Sequence, residues 1–531
     1  MCGIAVAIDW PEAEASVARL IEGILHRGDV SDPIVTPRAN CAMATRRLRI
    51  VDAEHGVQPQ LSYDGRLAVS FNGEIYNHAS LRAELEDLGA TFKTESDTEV
   101  LANALRVWGH QALTRLNGMY AFVALDCATG NFLAARDPFG VKPLYLIQSG
   151  ERFLFCSEMR PLLDTVENGD VLLLPPGYAL ARAGCAAFAS PLHEPKRLLK
   201  GDAIGLDRIL SDAVRLRLPP DLPATVLFSG GIDSTLVAHY ARQVGPETPG
   251  YFVGNTNAPD FRYAAEYAAT TGFDLRLVPF DAESDAVFDS IGEVVRVCES
   301  FDPNLVRGAI CSLMAAERMR DDGFRVALCG EGADELFCGY APLEIVFGAH
   351  DPNARTVRNE VLGLMHRVSL QRVDRGSMRY QVEMREPFLD RAVANYALAL
   401  EDRALVCDVN GLPTGKQPLR ELYALYPDAL PDSIAKRAKV PFGEGAGLDV
   451  SPEDSMWKQR FEAQISDRDF RDGQREFFGF GMQSKEELYY LRNLAEDFDV
   501  TRVPHLRGRG RISFDMVRHG ERLKAYAHAR L

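Results

Sequence analysis

The segment VLFSGGIDS at residues 226–234 constrains the fold of this chain more than any other. A short, mainly apolar run at 224–228 leads directly into a turn with two adjacent glycines, and a helix pattern follows at 235–244. Short apolar strands alternating with helices are typical of a parallel sheet that is buried on both faces. A second strand of this kind, at 325–328, also enters a glycine turn. We therefore predict an α/β parallel-sheet domain in this half of the chain.

The first 190 residues have a different pattern. They contain short apolar or alternating runs that end at turn residues, at 3–9, 67–71, 119–126, 131–137 and 153–157. Two helix patterns interrupt these runs, which together favour a layered α+β domain. The polar, proline-containing stretch around 193–197 shows no periodicity. We therefore predict domains at 2–190 and 204–531, a linker at 191–203, and a mainly helical C-terminal part.

The charge balance limits the function classes. With 59 Lys and Arg against 75 Asp and Glu, the net charge is −16, which argues against a general nucleic-acid binder. No run of about 18 apolar residues predicts a membrane span, and the N-terminus lacks the basic region of a signal peptide. The ten cysteines include no CxxC pair. We read them as reduced thiols and expect a cytoplasmic protein.

One cysteine, Cys2, stands directly after the initiator methionine. If that methionine is removed, Cys2 carries both a thiol and a free α-amine. An α-amine has a pKa near 7.7–8.0, so much of it is neutral at physiological pH and can act as the base for the thiol. A cysteine at position two is, taken alone, more often an accident. The residues that accompany it decide the interpretation.

Four further residues make a site around Cys2 chemically coherent. The side-chain amide of Asn72 and the backbone N–H of Gly73 are suited to stabilising an oxyanion. Arg47 is suited to clamp a carboxylate and Asp97 to accept an α-ammonium group. Taken singly, each has an ordinary alternative: a turn, a solvated strand residue, or a helix cap at Asp97. Together they predict a site for a free amino acid with a side-chain acyl group.

Residues 2–158 resemble the glutamine amidotransferase domain of the N-terminal-nucleophile (Ntn) type. The matching motifs are CGI (2–4), HRG (26–28), RL (47–48), NGEIYN (72–77), SDTE (96–99), GMYAF (118–122), RDPFG (136–140) and SE (157–158). The resemblance implies hydrolysis of glutamine to glutamate and ammonia on a four-layer αββα sandwich. It also adds Glu74 to Arg47, Asn72 and Asp97 as a glutamine-binding residue. Asp29-Val30 follow the HRG motif where the family usually has Pro-Asp.

The glycine turn of residues 229–234 is a candidate anion site. Backbone N–H groups and the N-terminus of the following helix can cradle phosphate, and the absence of a Lys-Ser/Thr pair excludes a Walker A loop. Tight strand–helix packing is the ordinary alternative for such a turn. The turn resembles the pyrophosphate loop of ATP pyrophosphatases, which adenylate a substrate. That resemblance implies pyrophosphate binding by Ser229, Gly230, Gly231 and Ser234, and Mg²⁺ binding by Asp233.

A second acidic turn, CGEGADELF at 329–337, also follows a strand. We predict that Asp233 and Asp334 bridge two Mg²⁺ ions to the triphosphate, and that Gly330 binds the nucleotide. Glu331 is our candidate for moving a proton. Clustered acids on a glycine loop can also be merely solvated, but the nucleotide loop upstream favours the functional interpretation.

The whole chain is similar to the glutamine-dependent asparagine synthetases, whose motifs occur here in the same order. The similarity implies formation of an acyl-adenylate from ATP and an acid, and its capture by ammonia that reaches it through a shielded tunnel. It places adenine near Leu227 and Val253. It also assigns Lys439, in the basic segment KRAKVPFGEG (436–445), to the charge developing at the α-phosphate. Members of the family are often homodimers.

The acceptor acid is the least constrained part of the interpretation. In the segment ESFDPNLVRG (299–308), Arg307 is a cation that we expect to bind the carboxylate of the acceptor. Leu305 stands where the family often has a threonine. A lost hydroxyl changes which substrates a polar pocket rejects. We predict aspartate as the acceptor; the alternative is an amidotransferase of specialised metabolism that amidates another, less polar acid. A β-lactam-forming synthetase is disfavoured by Cys2, and a simple glutaminase does not need residues 200–531.

Overall fold

A computed structural model describes residues 2–189, 198–409, 411–437, 440, 442–448 and 455–507. No helix within these ranges is both long and apolar enough to cross a membrane. The chain folds as a layered α+β domain followed by an α/β domain, as the two sequence patterns predicted.

The first domain contains two antiparallel sheets. Its strands are β1 Cys2–Ile8, β2 Val30–Ser31, β3 Val35–Arg38, β4 Cys41–Arg47, β5 Gln60–Leu61, β6 Leu67–Ile75, β7 Gly118–Asp126, β8 Phe132–Arg136, β9 Tyr145–Ser149, β10 Arg152–Cys156, β11 Leu172–Leu173, β12 Tyr178–Ala181 and β13 Gly184–Ala187. The first sheet has the order β11-β9-β10-β1-β4-β2, with β3 also paired to β4, and the second has the order β13-β12-β8-β7-β6-β5. Its helices are α1 Ala13–Gly23, α2 His78–Asp87, α3 Asp97–Trp108 and α4 Met159–Thr165.

Side-chain alternation along β1 explains why these elements stack in four layers. Ala5 and Ala7 pack in the cluster that contains α1, where small residues let the helix approach the sheet. Ile4 and Val6 point the other way, into the apolar layer that they share with the second sheet. The opposite face of the second sheet packs on α2 and α3. The predicted αββα sandwich is therefore confirmed.

The second domain is built on a parallel sheet. Its strands are β14 Ala224–Leu227, β15 Gly250–Val253, β16 Leu275–Val278, β17 Val326–Leu328 and β18 Glu383–Arg385, in the order β16-β15-β14-β17-β18. A hairpin of β19 Cys407–Val409 and β20 Leu412–Thr414 follows. The chain runs from β14 outward to β15 and β16, and then returns to β17 on the other side of β14. The turns after β14 and β17 therefore lie side by side at the carboxyl ends of these two strands.

Helices cover this sheet and form the C-terminal part, as predicted. They are α5 Ala203–Arg217, α6 Ile232–Val244, α7 Phe261–Thr271, α8 Asp285–Asp289, α9 Ile291–Cys298, α10 Pro303–Asp321, α11 Ala333–Leu336, α12 Ala341–Gly348, α13 Ala354–Leu364, α14 Ser369–Met378, α15 Arg391–Ala399, α16 Asp402–Leu405, α17 Gln417–Tyr423, α18 Asp432–Lys436, α19 Phe442–Gly445, α20 Met456–Gln464, α21 Asp467–Glu476 and α22 Lys485–Asp497.

The segment between the domains is only partly described, because residue 190 and residues 191–197 of the predicted linker lie outside the described residues. Beyond them, the Leu199 N–H donates to the Ala399 carbonyl at 2.7 Å, and α5 begins at Ala203. Near the other end of the described chain, the Val171 N–H donates to the Arg502 carbonyl at 2.8 Å. The C-terminal part of the second domain therefore packs back onto the first.

Candidate active sites

Cys2 lies at the start of β1 and is buried. Its backbone N–H donates to Asn72 Oδ1 at 3.0 Å, which joins the predicted nucleophile to the predicted oxyanion donor. With Oδ1 engaged, the buried Nδ2 of Asn72 has no hydrogen-bond partner among the described residues. A buried donor held in place but unused is suited to an oxyanion. Burial raises the pKa of the Cys2 thiol to about 11, so the thiol needs a local base to react.

Gly73, the second predicted oxyanion donor, follows Asn72 on β6 and pairs with Tyr120 on β7. Its φ is +154°, and a Cβ at this position would lie 2.0 Å from the Met119 carbonyl oxygen. No side chain fits at that distance. The glycine therefore lets the neighbouring strand approach closely at the end of β6.

The predicted glutamine-binding residues Arg47 and Asp97 both lie near this point. Arg47 pairs with Cys2 across β1 and β4, and its Nε contacts Asp32 Oδ2 at 2.9 Å. Asp97 Oδ2 accepts the Ile75 N–H at 2.9 Å, which ties the start of α3 to the end of β6. The alternative reading of Asp97 as the helix cap is wrong, because Ser96 is the N-cap and its side chain accepts the Thr98 N–H.

The second domain also reaches this site. Arg385, on β18, contacts Glu74 through Nη2 at 2.9 Å and Glu383 through Nε at 2.6 Å. Burial raises the pKa of Glu74 to about 8, although Arg385 acts in the opposite direction. Asp29, in the place where the family usually has Pro-Asp, accepts from Arg325 of the second domain at 3.0 Å. The sequence contained no local signal for either contact.

Hydroxyl groups of the candidate pyrophosphate loop form hydrogen bonds across it. The Ser229 and Ser234 side-chain oxygens lie 3.1 Å apart, and the Gly231 N–H donates to Ser229 Oγ at 3.3 Å. Gly230 has a φ of +68°, and a Cβ there would lie 2.6 Å from the Ala264 nitrogen. The loop therefore requires glycine at this position, as the predicted phosphate cradle does.

Sequence analysis missed Lys416, which lies between the two predicted metal ligands. Its Nζ is 2.5 Å from Asp233 Oδ2 and 2.6 Å from Asp334 Oδ1, and the residue is only 3% exposed. Lys416 stands just before α17, and the glycine-containing segment around it gave no clear phosphate-loop pattern. Asp233 and Asp334 lie in the first turns of α6 and α11, and Lys416 stands just before α17, so three helix starts that are distant in sequence converge on one ionic cluster.

The same two carboxylates fit Mg²⁺. They converge on a single cation from two sides, and carboxylate oxygens are the ligands that this hard ion prefers. Within the described ranges, no group of three or more His, Cys, Asp or Glu side chains forms a metal cage. Mg²⁺ typically binds through one or two carboxylates together with substrate phosphates, so the donor set is appropriate for a metal that arrives with a nucleotide.

A cavity of about 410 Å³ lies beside these loops. The predicted residues that line it are Leu227, Ser229, Asp233, Ser234, Arg307, Gly330, Glu331 and Asp334. Val253 does not line it and is buried in the core. Lys439 lies outside the described residues.

Two arginines of the cavity wall are already paired with carboxylates. Arg307, the predicted acceptor clamp, contacts Glu486 Oε1 through Nε at 2.9 Å. Arg372, which the sequence analysis missed, pairs with Glu331. Leu305 is fully buried in the core and does not line this cavity.

Comparison with known proteins matches both halves of the chain. Residues 1–172 match the glutamine amidotransferase domain family, and residues 205–356 and 347–479 match the asparagine synthase family. "Asparagine synthetase [glutamine-hydrolyzing] 3" of Arabidopsis thaliana is 30% identical over 528 residues, covering 94% of this chain and 87% of the relative. The corresponding protein of Triphysaria versicolor is 30% identical over 94% of this chain and 86% of its own length. That of Sandersonia aurantiaca is 29% identical over 94% and 96%.

Proposed function

Because the chain belongs to the family of glutamine-hydrolysing asparagine synthetases, we propose that it converts aspartate, ATP, glutamine and water into asparagine, AMP, pyrophosphate and glutamate. The observation that carries this proposal is the presence of two separate constellations in one chain. In the first, Cys2 contacts Asn72, whose side-chain Nδ2 is buried and unused. In the second, the glycine turn after β14 and the acidic turn after β17 line the same cavity. The test is the simultaneous release of glutamate and pyrophosphate by the purified protein.

The first half-reaction is glutamine hydrolysis at Cys2. Once the initiator methionine is removed, the nitrogen beside Asn72 Oδ1 is a free amine that takes the thiol proton. The thiolate attacks the side-chain amide carbon of glutamine, and Asn72 Nδ2 and the Gly73 N–H stabilise the resulting oxyanion. Ammonia leaves with the proton, and water then releases glutamate from the thioester. Arg47 and Asp97 bind the α-carboxylate and α-ammonium groups, and Glu74 borders them.

The second half-reaction is adenylation of the acceptor. A carboxylate oxygen attacks the α-phosphorus of ATP, pyrophosphate leaves, and ammonia then displaces AMP from the acyl-adenylate. Ser229, Gly230, Gly231 and Ser234 hold the pyrophosphate. Asp233 and Asp334 would hold Mg²⁺, which would neutralise phosphate charge. Leu227 and Gly330 border the nucleotide, Arg307 binds the acceptor, and Lys439 stabilises charge at the α-phosphate. Glu331 accepts a proton from the attacking ammonia.

Replacing Asn72 with alanine tests the oxyanion assignment. We expect Asn72→Ala to lower kcat for glutamate release by about 10²–10³-fold, because a lost oxyanion donor weakens only the transition state. The KM for glutamine should change little. Asn131→Ala, at an exposed asparagine of the same domain, is the matched control. An Asn72→Ala enzyme with unchanged kcat would mean that Asn72 does not bind the oxyanion.

The wall of the cavity supplies an observation in favour of a second candidate acceptor. Val361, Leu364, Met365 and Val368 form an apolar side of the cavity, which a substrate as small and polar as aspartate does not need. The second candidate function is therefore amidation of an acid with an apolar side chain.

A panel of acids separates the two candidates. We expect aspartate to support pyrophosphate release at least about tenfold faster than a four- to six-carbon monocarboxylic acid, a difference of about 1.4 kcal/mol in transition-state binding. The reverse order would favour the second candidate. Pyrophosphate release with none of the acids would contradict the adenylation half-reaction itself.

A further inference from the structure

Six charged side chains from both domains form one buried cluster at the domain interface. The members are Arg27, Lys142 and Glu158 of the first domain and Glu299, Asp374 and Arg375 of the second, and none of their side chains is more than 8% exposed. Arg27 Nη1 is 2.9 Å from Glu158 Oε1 and 3.0 Å from Asp374 Oδ2. Arg375 is 2.5 Å from Glu158 and 2.6 Å from Glu299, and Lys142 Nζ is 3.7 Å from Asp374.

The charges of this cluster cancel only when both domains are counted. Two cations and one carboxylate from the first domain leave +1, and two carboxylates and one cation from the second leave −1. A buried charge without its partner is strongly destabilised, so each half of the cluster depends on the other. The second domain therefore neutralises the buried net charge of the first domain at this interface.

One member of the cluster touches the nucleophile. Arg27 Nε donates to the Cys2 carbonyl oxygen at 3.2 Å, and Arg27 Nη2 donates to Asp374 Oδ1 at 3.1 Å. The same side chain lies against the next residue, since a Cβ at Gly3 would be 3.2 Å from Arg27 Cδ. A single guanidinium group therefore connects the backbone of Cys2 to a carboxylate of the second domain.

That carboxylate is carried by α14, which also faces the second active site. Asp374 and Arg375 belong to the interface cluster, while Arg372 of the same helix pairs with Glu331. Glu299 supports this arrangement from another direction, because its carboxylate accepts the N–H groups of Met159 and Arg160 at the start of α4. The cluster thus fixes a helix of each domain against the other.

We propose that Asp374 and Arg375 are positioning residues for glutamine hydrolysis: they hold Arg27, and through it the backbone of Cys2, in the reactive arrangement. The first domain alone is then an incomplete glutaminase, and α14 of the second domain completes it. This inference rests on the proposed function for its kinetic readout, since it takes Cys2 as the nucleophile.

Two single substitutions and their combination test the proposal in the full-length protein. Asp374→Asn leaves the cluster at +1, Arg375→Gln leaves it at −1, and the double variant restores neutrality. We expect each single variant to lower kcat for glutamate release about 30-fold, within the range that a small misplacement of a catalytic group produces, with the KM for glutamine within about twofold. The double variant should not recover the lost kcat, because neither side chain that holds Arg27 in place remains, whereas its neutral cluster should return the alkylation rate of Cys2 to near the wild-type value. Arg379→Gln, at an exposed arginine just beyond α14, is the control.

Alkylation of Cys2 by iodoacetamide, followed by mass spectrometry, gives a readout that does not require turnover. Because the thiolate is the reactive form, a cluster at +1 should speed alkylation and a cluster at −1 should slow it, each by about threefold or more. General loosening of the fold would speed alkylation in both variants. If the wild type releases no glutamate, the proposed function is wrong. The opposite changes in the Cys2 alkylation rate of the two single variants still test the present inference in that case.

The inference is overturned if both single variants keep wild-type kcat and wild-type alkylation rates, or if both shift alkylation in the same direction. Should Asp374→Asn fail to fold, Asp374→Glu takes its place, because it keeps the charge and moves the carboxylate by one methylene. We then expect unchanged alkylation with a reduced kcat, and an unchanged kcat would overturn the proposal.

Discussion

Replacing Cys2 with alanine is expected to abolish glutamate release, by at least about a thousandfold, because it removes the sulfur atom on which the thioester forms. The substitution removes one sulfur atom from a buried position beside Asn72 and leaves the second domain unchanged. Pyrophosphate release with aspartate and ammonium chloride should therefore persist in the Cys2→Ala enzyme. The assay is glutamate and pyrophosphate release, measured with glutamine or with ammonium as the nitrogen source.

A second cysteine provides the control for this experiment. Cys185 is exposed on β13, and Cys185→Ala should leave both activities at wild-type values. Glutamate release that survives in Cys2→Ala would mean that the nucleophile has been misassigned. Loss of the ammonium-dependent reaction in the same variant would mean that Cys2 serves the second site as well.

Replacing Lys416 with methionine is expected to lower pyrophosphate release by about 10²–10³-fold, the size of effect seen when a preorganised charge is removed from an active site. The substitution removes a cation that contacts both Asp233 and Asp334. Among the described residues, no other cation contacts both. Two carboxylates then face each other, and their mutual repulsion disturbs the site that receives the triphosphate. Glutamate release should continue, since Cys2 lies in the other domain.

The control for Lys416 is a lysine of the same domain with an exposed ion pair. Lys436 contacts Asp432 at the surface, and Lys436→Met should leave pyrophosphate release unchanged, since such pairs contribute little. Pyrophosphate release at the wild-type rate in Lys416→Met would contradict the assignment of Asp233 and Asp334 to the nucleotide site.

Features that depend on neighbouring residues could be predicted from the sequence. The strand, glycine turn and helix around Asp233 required only local apolar periodicity and a turn, and they are confirmed. The αββα layers, implied by the family resemblance, are also confirmed. The contact between Cys2 and Asn72 spans 70 residues, but the chemistry of a nucleophile and an oxyanion donor suggested it.

Contacts between distant residues of opposite charge could not be predicted in the same way. Lys416 lies 183 residues from Asp233, and Asp374 lies 347 residues from Arg27. With 134 Lys, Arg, Asp and Glu residues in the chain, 59 plus 75, neither partner has a pattern that distinguishes it from the others. Arg307 illustrates the same limit: its sequence position suggested a free acceptor clamp, whereas the fold brings Glu486 to it.

The central claim is that one chain transfers the side-chain nitrogen of glutamine to an adenylated acid. Its most direct test is mass spectrometry of the products formed from amide-¹⁵N-glutamine, aspartate and ATP, with unlabelled ammonium present in the buffer. The account predicts ¹⁵N-labelled asparagine together with equal amounts of AMP and pyrophosphate, and at least as much glutamate. Glutamate and labelled ammonia without any labelled amide, or an amide that carries only the nitrogen of the buffer, would contradict it.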